Sequence, residues 1–154
     1  MPGLEEVYCK FGFAAEAAQL LETQLGNMLL FHHIIDDDLI GSDNPERARV
    51  VWDSVYRQTL GQLLKSLNNH TQSLDRLNDL LLTALKERNR LFHSFYPSHN
   101  FRRNSEEGRL IMLQDLEGIH AALLDAYKAV LLLDGIDLDA MTELGDSPTR
   151  HLPI

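Results

Sequence analysis

Apolar residues recur along this chain at helical spacing from Leu4 onward. Between Leu4 and Ile35, the residues Val7, Phe11, Ala14, Ala18, Leu21, Leu25 and Leu29 fall on one side of a helix. Asp36-Asp37-Asp38, then Gly41-Ser42-Asp43-Asn44-Pro45, reads as its stop, a loop and the next start. A second helix is expected over roughly 46–67, with Asn44 as its cap and Pro45 in its first turn. Val51, Val55, Leu60 and Leu63/Leu64 give it an apolar side, interrupted by Gly61, and Asn68-Asn69-His70-Thr71 looks like a break. A third helix spans 74–95 and must end before Pro97, leaving Tyr96 to Asn100 as a turn. A fourth begins near Ser105, whose hydroxyl caps it, with Glu106 and Glu107 at the positive end of its dipole. It runs through Leu113, Leu116, His120, Leu124, Tyr127 and Leu131 to about Asp134-Gly135. No segment alternates as a strand would. The expected fold is an all-α, antiparallel four-helix bundle over residues 1–135, with a C-terminal tail, 136–154, that docks as a short helix and then frays.

One residue breaks the pattern. On the third helix Leu74, Leu77, Leu81, Leu85, Phe92 and Phe95 share an apolar stripe, and Arg88 falls inside it. Asn89 and His93 lie along its edge, one turn apart. Burying a lone guanidinium costs several kcal/mol or more, so something must meet Arg88. The choices are a carboxylate of the first helix such as Glu16 or Glu22, a second subunit, or an anionic ligand.

The string Glu87-Arg88-Asn89-Arg90-Leu91-Phe92-His93 resembles the signature of the HEPN superfamily (higher eukaryotes and prokaryotes nucleotide-binding domains). That signature is an Arg, a polar residue directly after it, and a His a few residues on, here Arg88, Asn89 and His93. The resemblance implies a small HEPN-like helical bundle, often a homodimer, and often a metal-independent endoribonuclease whose two motif copies face one shared cleft. It implies His93 as the base acting on a ribose 2′-hydroxyl and Arg88 as the phosphate clamp, roles that suit an imidazole near neutral pH and a planar fork. Asn89 would orient His93 or donate to the same phosphate. Such domains commonly serve in toxin–antitoxin or defence systems, so a cognate antitoxin is a further implied partner. Some HEPN toxins carry a Tyr two residues after the His, where a nucleotidyltransferase attaches AMP. Here that position is Phe95, which counts against regulation of that kind.

Charge sharpens the picture. The chain carries a formal net charge of −9, which argues against loose nucleic-acid binding. Yet the window from Lys86 to Arg109 holds six basic residues against three acidic ones. Arg90, Arg102 and Arg103 in this basic island are the candidate RNA-binding residues. The lone Cys9 excludes an intrachain disulfide and fits a reducing cytosol, so a cytoplasmic protein is expected. The opening Met1-Pro2-Gly3-Leu4-Glu5-Glu6 lacks the layout of a signal peptide, and no apolar run approaches the roughly 18 residues of a membrane span.

Two other readings stay open. The same bundle could bind a nucleotide, RNA or a protein without cutting. Alternatively, His32/Asp36 and His33/Asp37, each four apart, could chelate a divalent ion, as in His-lined four-helix bundles of the DinB-like family. There is no His-x-x-x-His pair, and no metal or cofactor is expected. Asp134, Asp137 and Asp139 lack the spacing and glycine of a calcium loop. Cys9 sits among acids, which does not favour a thiolate.

Overall fold

The computed structural model of the chain describes residues 2–36, 44–68 and 75–143. Among them there is no strand. The elements are α1 (Leu4–Asp36), α2 (Pro45–Tyr56), α3 (Leu60–Asn68), α4 (Asp75–His93), α5 (Phe95–His99), a 3₁₀ turn (Asn100–Asn104), α6 (Glu106–Leu133) and α7 (Leu138–Glu143). Asn44 caps α2 by accepting from the Arg47 amide at 3.1 Å, and Ser105 caps α6 by accepting from the Gly108 amide at 3.0 Å. Gly135 closes α6 at φ 77°, a conformation that favours glycine.

The helix expected over 46–67 is two helices. Val55 and Leu60 are five residues apart, about 140° round a helix, so one continuous helix would aim its apolar halves in different directions. The chain instead breaks at Arg57–Thr59, where the Thr59 amide donates to Gln62 Oε1 at 2.9 Å. Val55 and Leu60 are then both buried.

That extra element changes the bundle's handover. Pro2 meets Arg109, Lys10 meets Glu117, and Gln24 meets Asp134, so α1 and α6 run parallel. Phe11 meets Phe95 and Tyr96 while Glu22 meets Arg88, so α4 runs against α1. A four-helix antiparallel bundle would have α1 and α6 opposed and the motif helix parallel to α1. One further turn of chain, between α2 and α3, exchanges both senses.

The core lies between α1 and α6, the most extensive helix pair, with α4 laid across them. Val7, Ala14, Leu21, Leu25 and Leu29 of α1 and Met112, Leu116, Ile119, Leu123 and Val130 of α6 line it, all essentially without exposed surface. From α4 and α5 come Leu81, Ala84, Leu91 and Phe95. Phe92, expected in this stripe, is 42% exposed, and Leu74 lies outside the described residues. The motif helix also ends earlier than expected, at His93. A new turn of helix then begins at Phe95 and carries Pro97 within its first turn, where the missing N–H has no partner to lose.

No described helix is long and apolar enough to cross a membrane. Within the tail, α7 forms over Leu138–Glu143, its start fixed by Asp137 accepting from the amides of Asp139 and Ala140. The expected fraying beyond Glu143 lies outside the described residues.

Candidate functional site

A carboxylate meets Arg88 within the chain. Its Nε donates to Glu22 Oε1 at 2.9 Å, with the two side chains 20% and 25% exposed. Of the two acids considered on α1, Glu22 is the partner. The guanidinium also lies over the Phe92 ring, 5.0 Å from its centroid. Arg88 Nη1 stands 3.4 Å from Asn89 Oδ1, a long contact. Asn89 and His93 are exposed on the same side of α4, and among the described residues the His93 ring has no hydrogen-bond or ion-pair partner.

Arg90 points elsewhere. It donates to Glu87 Oε2 at 2.6 and 2.9 Å and to Asp115 Oδ2 at 2.7 Å. That same Asp115 oxygen lies 2.8 Å from His99 Nε2. The imidazole is 4% exposed, packed 4.6 Å from the Phe95 ring. Its other nitrogen, Nδ1, lies 3.1 Å from Arg102 Nη1. A guanidinium only donates, so Nδ1 accepts and Nε2 carries the proton. The chain Glu87–Arg90–Asp115–His99–Arg102 thus ties α4, α5, the 3₁₀ turn and α6 together. The hydrogen bond to Asp115 raises the Arg90 pKa far above its usual value, against a smaller opposing effect of burial. Burial pushes the Asp115 carboxyl up, but the hydrogen bonds and charges of Arg90 and His99 outweigh it and hold it below the usual carboxylate range.

The basic residues of the turn are held differently. Arg102 is on an imidazole nitrogen, and Arg103 Nη2 donates to the Tyr8 hydroxyl at 3.2 Å. Arg109 donates to the carbonyls of Pro2 at 2.8 Å and Arg103 at 3.1 Å. Among the described residues none of the three contacts a carboxylate. Asn100, at φ 46° and ψ −117°, has a positive φ outside the left-handed helical region. Phe101, next in the chain, is 76% exposed. Tyr96 lies close by. Burial and Tyr8 raise its pKa, and Arg103 opposes the rise.

The sequence-expected residues therefore separate. Asn89 and His93 share an exposed side of α4, whereas Arg88, about 140° round the helix from His93, turns toward Glu22 of α1. Arg90 belongs to an internal ion-pair chain, and Arg102 and Arg103 belong to the turn. Sequence reasoning missed His99 and Asp115. His99 sits in a stretch taken for a turn, which has no periodicity to read. Asp115 was legible, because it falls between buried Met112 and Ile119, as misplaced on its stripe as Arg88 is on α4.

A pocket of about 270 Å³ opens beside Glu22, lined by Gln19, Glu22, Thr23, Gly26, Val55, Gln58 and Leu63. Among the described residues no group of three or more His, Cys, Asp or Glu is placed to hold a metal ion. Asp37, of the expected His33/Asp37 pair, lies outside them. Cys9 is a free, exposed thiol. Comparison with known protein families, curated proteins and solved structures finds no match to this chain.

Proposed function

We propose that this chain is an HEPN-like, metal-independent endoribonuclease that acts as a homodimer, with the Arg88, Asn89 and His93 motif of α4 as its half-site. The observation that supports this is that Asn89 and His93 are exposed one turn apart on α4, with Asn89 Oδ1 3.4 Å from the Arg88 guanidinium. His93 takes the proton from a ribose 2′-hydroxyl. The O2′–P bond forms as the P–O5′ bond breaks, leaving a 2′,3′-cyclic phosphate upstream and a 5′-hydroxyl downstream once the leaving oxygen is protonated. Glu22 occupies Nε of Arg88 and Asn89 makes only a long contact with Nη1, so Nη2 remains to donate to phosphate oxygens as charge builds on them. A second copy supplies the facing half-site.

The test is total RNA incubated in excess chelator with wild type and with His93→Ala. Cleavage leaving cyclic phosphate ends is expected from wild type, with a drop of about a hundredfold or more for His93→Ala. DNA and 2′-O-methyl RNA should resist. Wild type that leaves RNA intact, or a clean monomer mass at high concentration, overturns the shared-site nuclease.

A second reading has its own observation. The Arg88–Glu22 pair already satisfies the misplaced guanidinium, which favours a member that binds RNA or another partner without cutting it.

A further inference from the structure

We propose that the 3₁₀ turn Asn100–Asn104 and the start of α6 form a platform for single-stranded nucleic acid, with a base stacked on Phe101 and phosphates on Arg102 and Arg103. This goes beyond the reading above, since it needs neither His93 nor a second copy.

The argument begins with charge. Arg88 and Arg90 are neutralised by Glu22, Glu87 and Asp115. Arg102, Arg103 and Arg109 are instead held by an imidazole nitrogen, a phenol and two backbone carbonyls. Neutral acceptors fix a guanidinium without cancelling its charge. Three such cations against Glu106 and Glu107 of the first turn of α6 leave this end of the bundle locally positive, on a chain of net charge −9.

The cations are also positioned in advance. Arg102 hangs on His99, whose ring is clamped by Asp115, itself held by Arg90. Arg103 is set by Tyr8, and its carbonyl is held by Arg109. Each bond formed with a phosphate therefore loses less side-chain freedom than a free arginine would.

Phe101 selects the ligand class. It is the most exposed of the large apolar side chains among the described residues, and it adjoins the two arginines in sequence. An acidic peptide would use the charges and leave the ring in water. A duplex would keep its bases stacked on each other. A single strand offers both a phosphate and an unstacked base face, and aromatic stacking is how single strands are held with little sequence preference.

The experiment measures binding of the full chain, by fluorescence anisotropy, to labelled oligo(U) and oligo(dT) of about 12 nucleotides, within the usual site size of single-strand binders, and to duplex RNA. Single strands should bind in preference to duplex, with a log–log salt slope of roughly 1.4 for two phosphate contacts. Phe101→Ala should weaken binding about tenfold, and Phe101→Trp should retain it. Replacing Arg102 and Arg103 together by Ala should remove most of the salt slope. Oligo(dT) has no 2′-hydroxyl to react, so its binding is read whether or not the nuclease assignment holds. Preference for oligo(U) over oligo(dT) would identify RNA through its 2′-hydroxyls, and equal binding would identify a general single-strand site. No binding at low salt, indifference to Phe101→Ala, or equal displacement by polyglutamate would overturn the platform.

Discussion

Arginines at two places in this molecule look alike in the sequence and differ in what surrounds them. On α4, Arg88 and Arg90 each face a carboxylate within 3 Å, on Glu22 and Asp115. Around the 3₁₀ turn, Arg102, Arg103 and Arg109 face nitrogen, phenol and carbonyl acceptors. The basic island read from the sequence counts all five equally. Folding divides it into a part that holds helices together and a part whose charge is available to a ligand. A count of Lys and Arg in a window thus says where anions are welcome only after the acids that reach into that window from elsewhere are subtracted.

The largest effect should come from disturbing the frame of the turn. Gly108 lies where the start of α6 passes against the backbone of Arg102. A Cβ there would overlap the Arg102 carbonyl and come within 2.7 Å of its Cα. Backbone on both sides leaves nothing flexible to yield. Gly108→Ala is expected to cost about 4 kcal/mol, at the severe end for single substitutions, and to displace Arg102 and Arg103. Gly118, further along the same helix, has open space where its Cβ would go. Gly118→Ala should therefore gain about 0.5–1 kcal/mol from helix propensity. Urea denaturation of the two variants tests this directly. Similar stabilities would remove the close approach on which the geometry of the turn depends.

Next in size is the junction between the two arginine regions. Asp115 binds Arg90 on one side and His99 on the other, and through His99 it positions Arg102. Asp115→Ala strands both partners. About 3 kcal/mol is expected, the low end for breaking a buried pair, because the carboxylate keeps a quarter of its surface. Its pKa is depressed in the folded chain. Its contribution is therefore complete above the unfolded value near pH 4 and is lost as pH falls from there through the folded value. The stability gap between wild type and Asp115→Asn should be flat between about pH 5 and 7 and close below about pH 4. A gap that widens with acid would reverse the assigned sign.

The sequence made much of the fold legible and less of the site. The span of α1, the Asn44 and Ser105 caps and the stop near Gly135 follow from local chemistry, which acts within a few residues. The parallel sense of α1 and α6 follows from a break at Arg57–Thr59 that no proline or glycine marks. It required comparing the phases of the apolar stripes on either side of the break. Arg88 was conspicuous because a stripe makes a charge look out of place, and Glu22 was one of the two acids considered for it. His99 was not conspicuous, because its burial comes from Phe95 and its partner Asp115 lies on another helix. Long-range pairs of this kind appear in a sequence only when both members interrupt a pattern, and only one of these two does.

The smallest effect tests whether the α4 arginine can be turned into the other kind. The Arg88–Glu22 pair is about a fifth to a quarter exposed on each side. Its coupling should fall between the values for surface and buried pairs, about 1–2 kcal/mol. A double-mutant cycle with Arg88→Ala, Glu22→Ala and both together isolates that term, since Glu22 has no other hydrogen-bond or ion-pair partner among the described residues. Coupling near zero would mean that the fork is uncommitted in solution and already open to a phosphate. Coupling of the expected size makes Glu22 the gate on Arg88. Removing Glu22 alone then leaves a half-buried cation with no counter-ion, and stability falls while the attraction of the motif face for anions rises. Glu22→Ala should therefore bind single-stranded RNA a few-fold more tightly than wild type, because Arg88 then meets the phosphate with its charge uncancelled. Glu22→Ala that loses stability without gaining RNA affinity would place Arg88 wholly on the structural side of the comparison, and the turn would remain as the region whose arginines face outward.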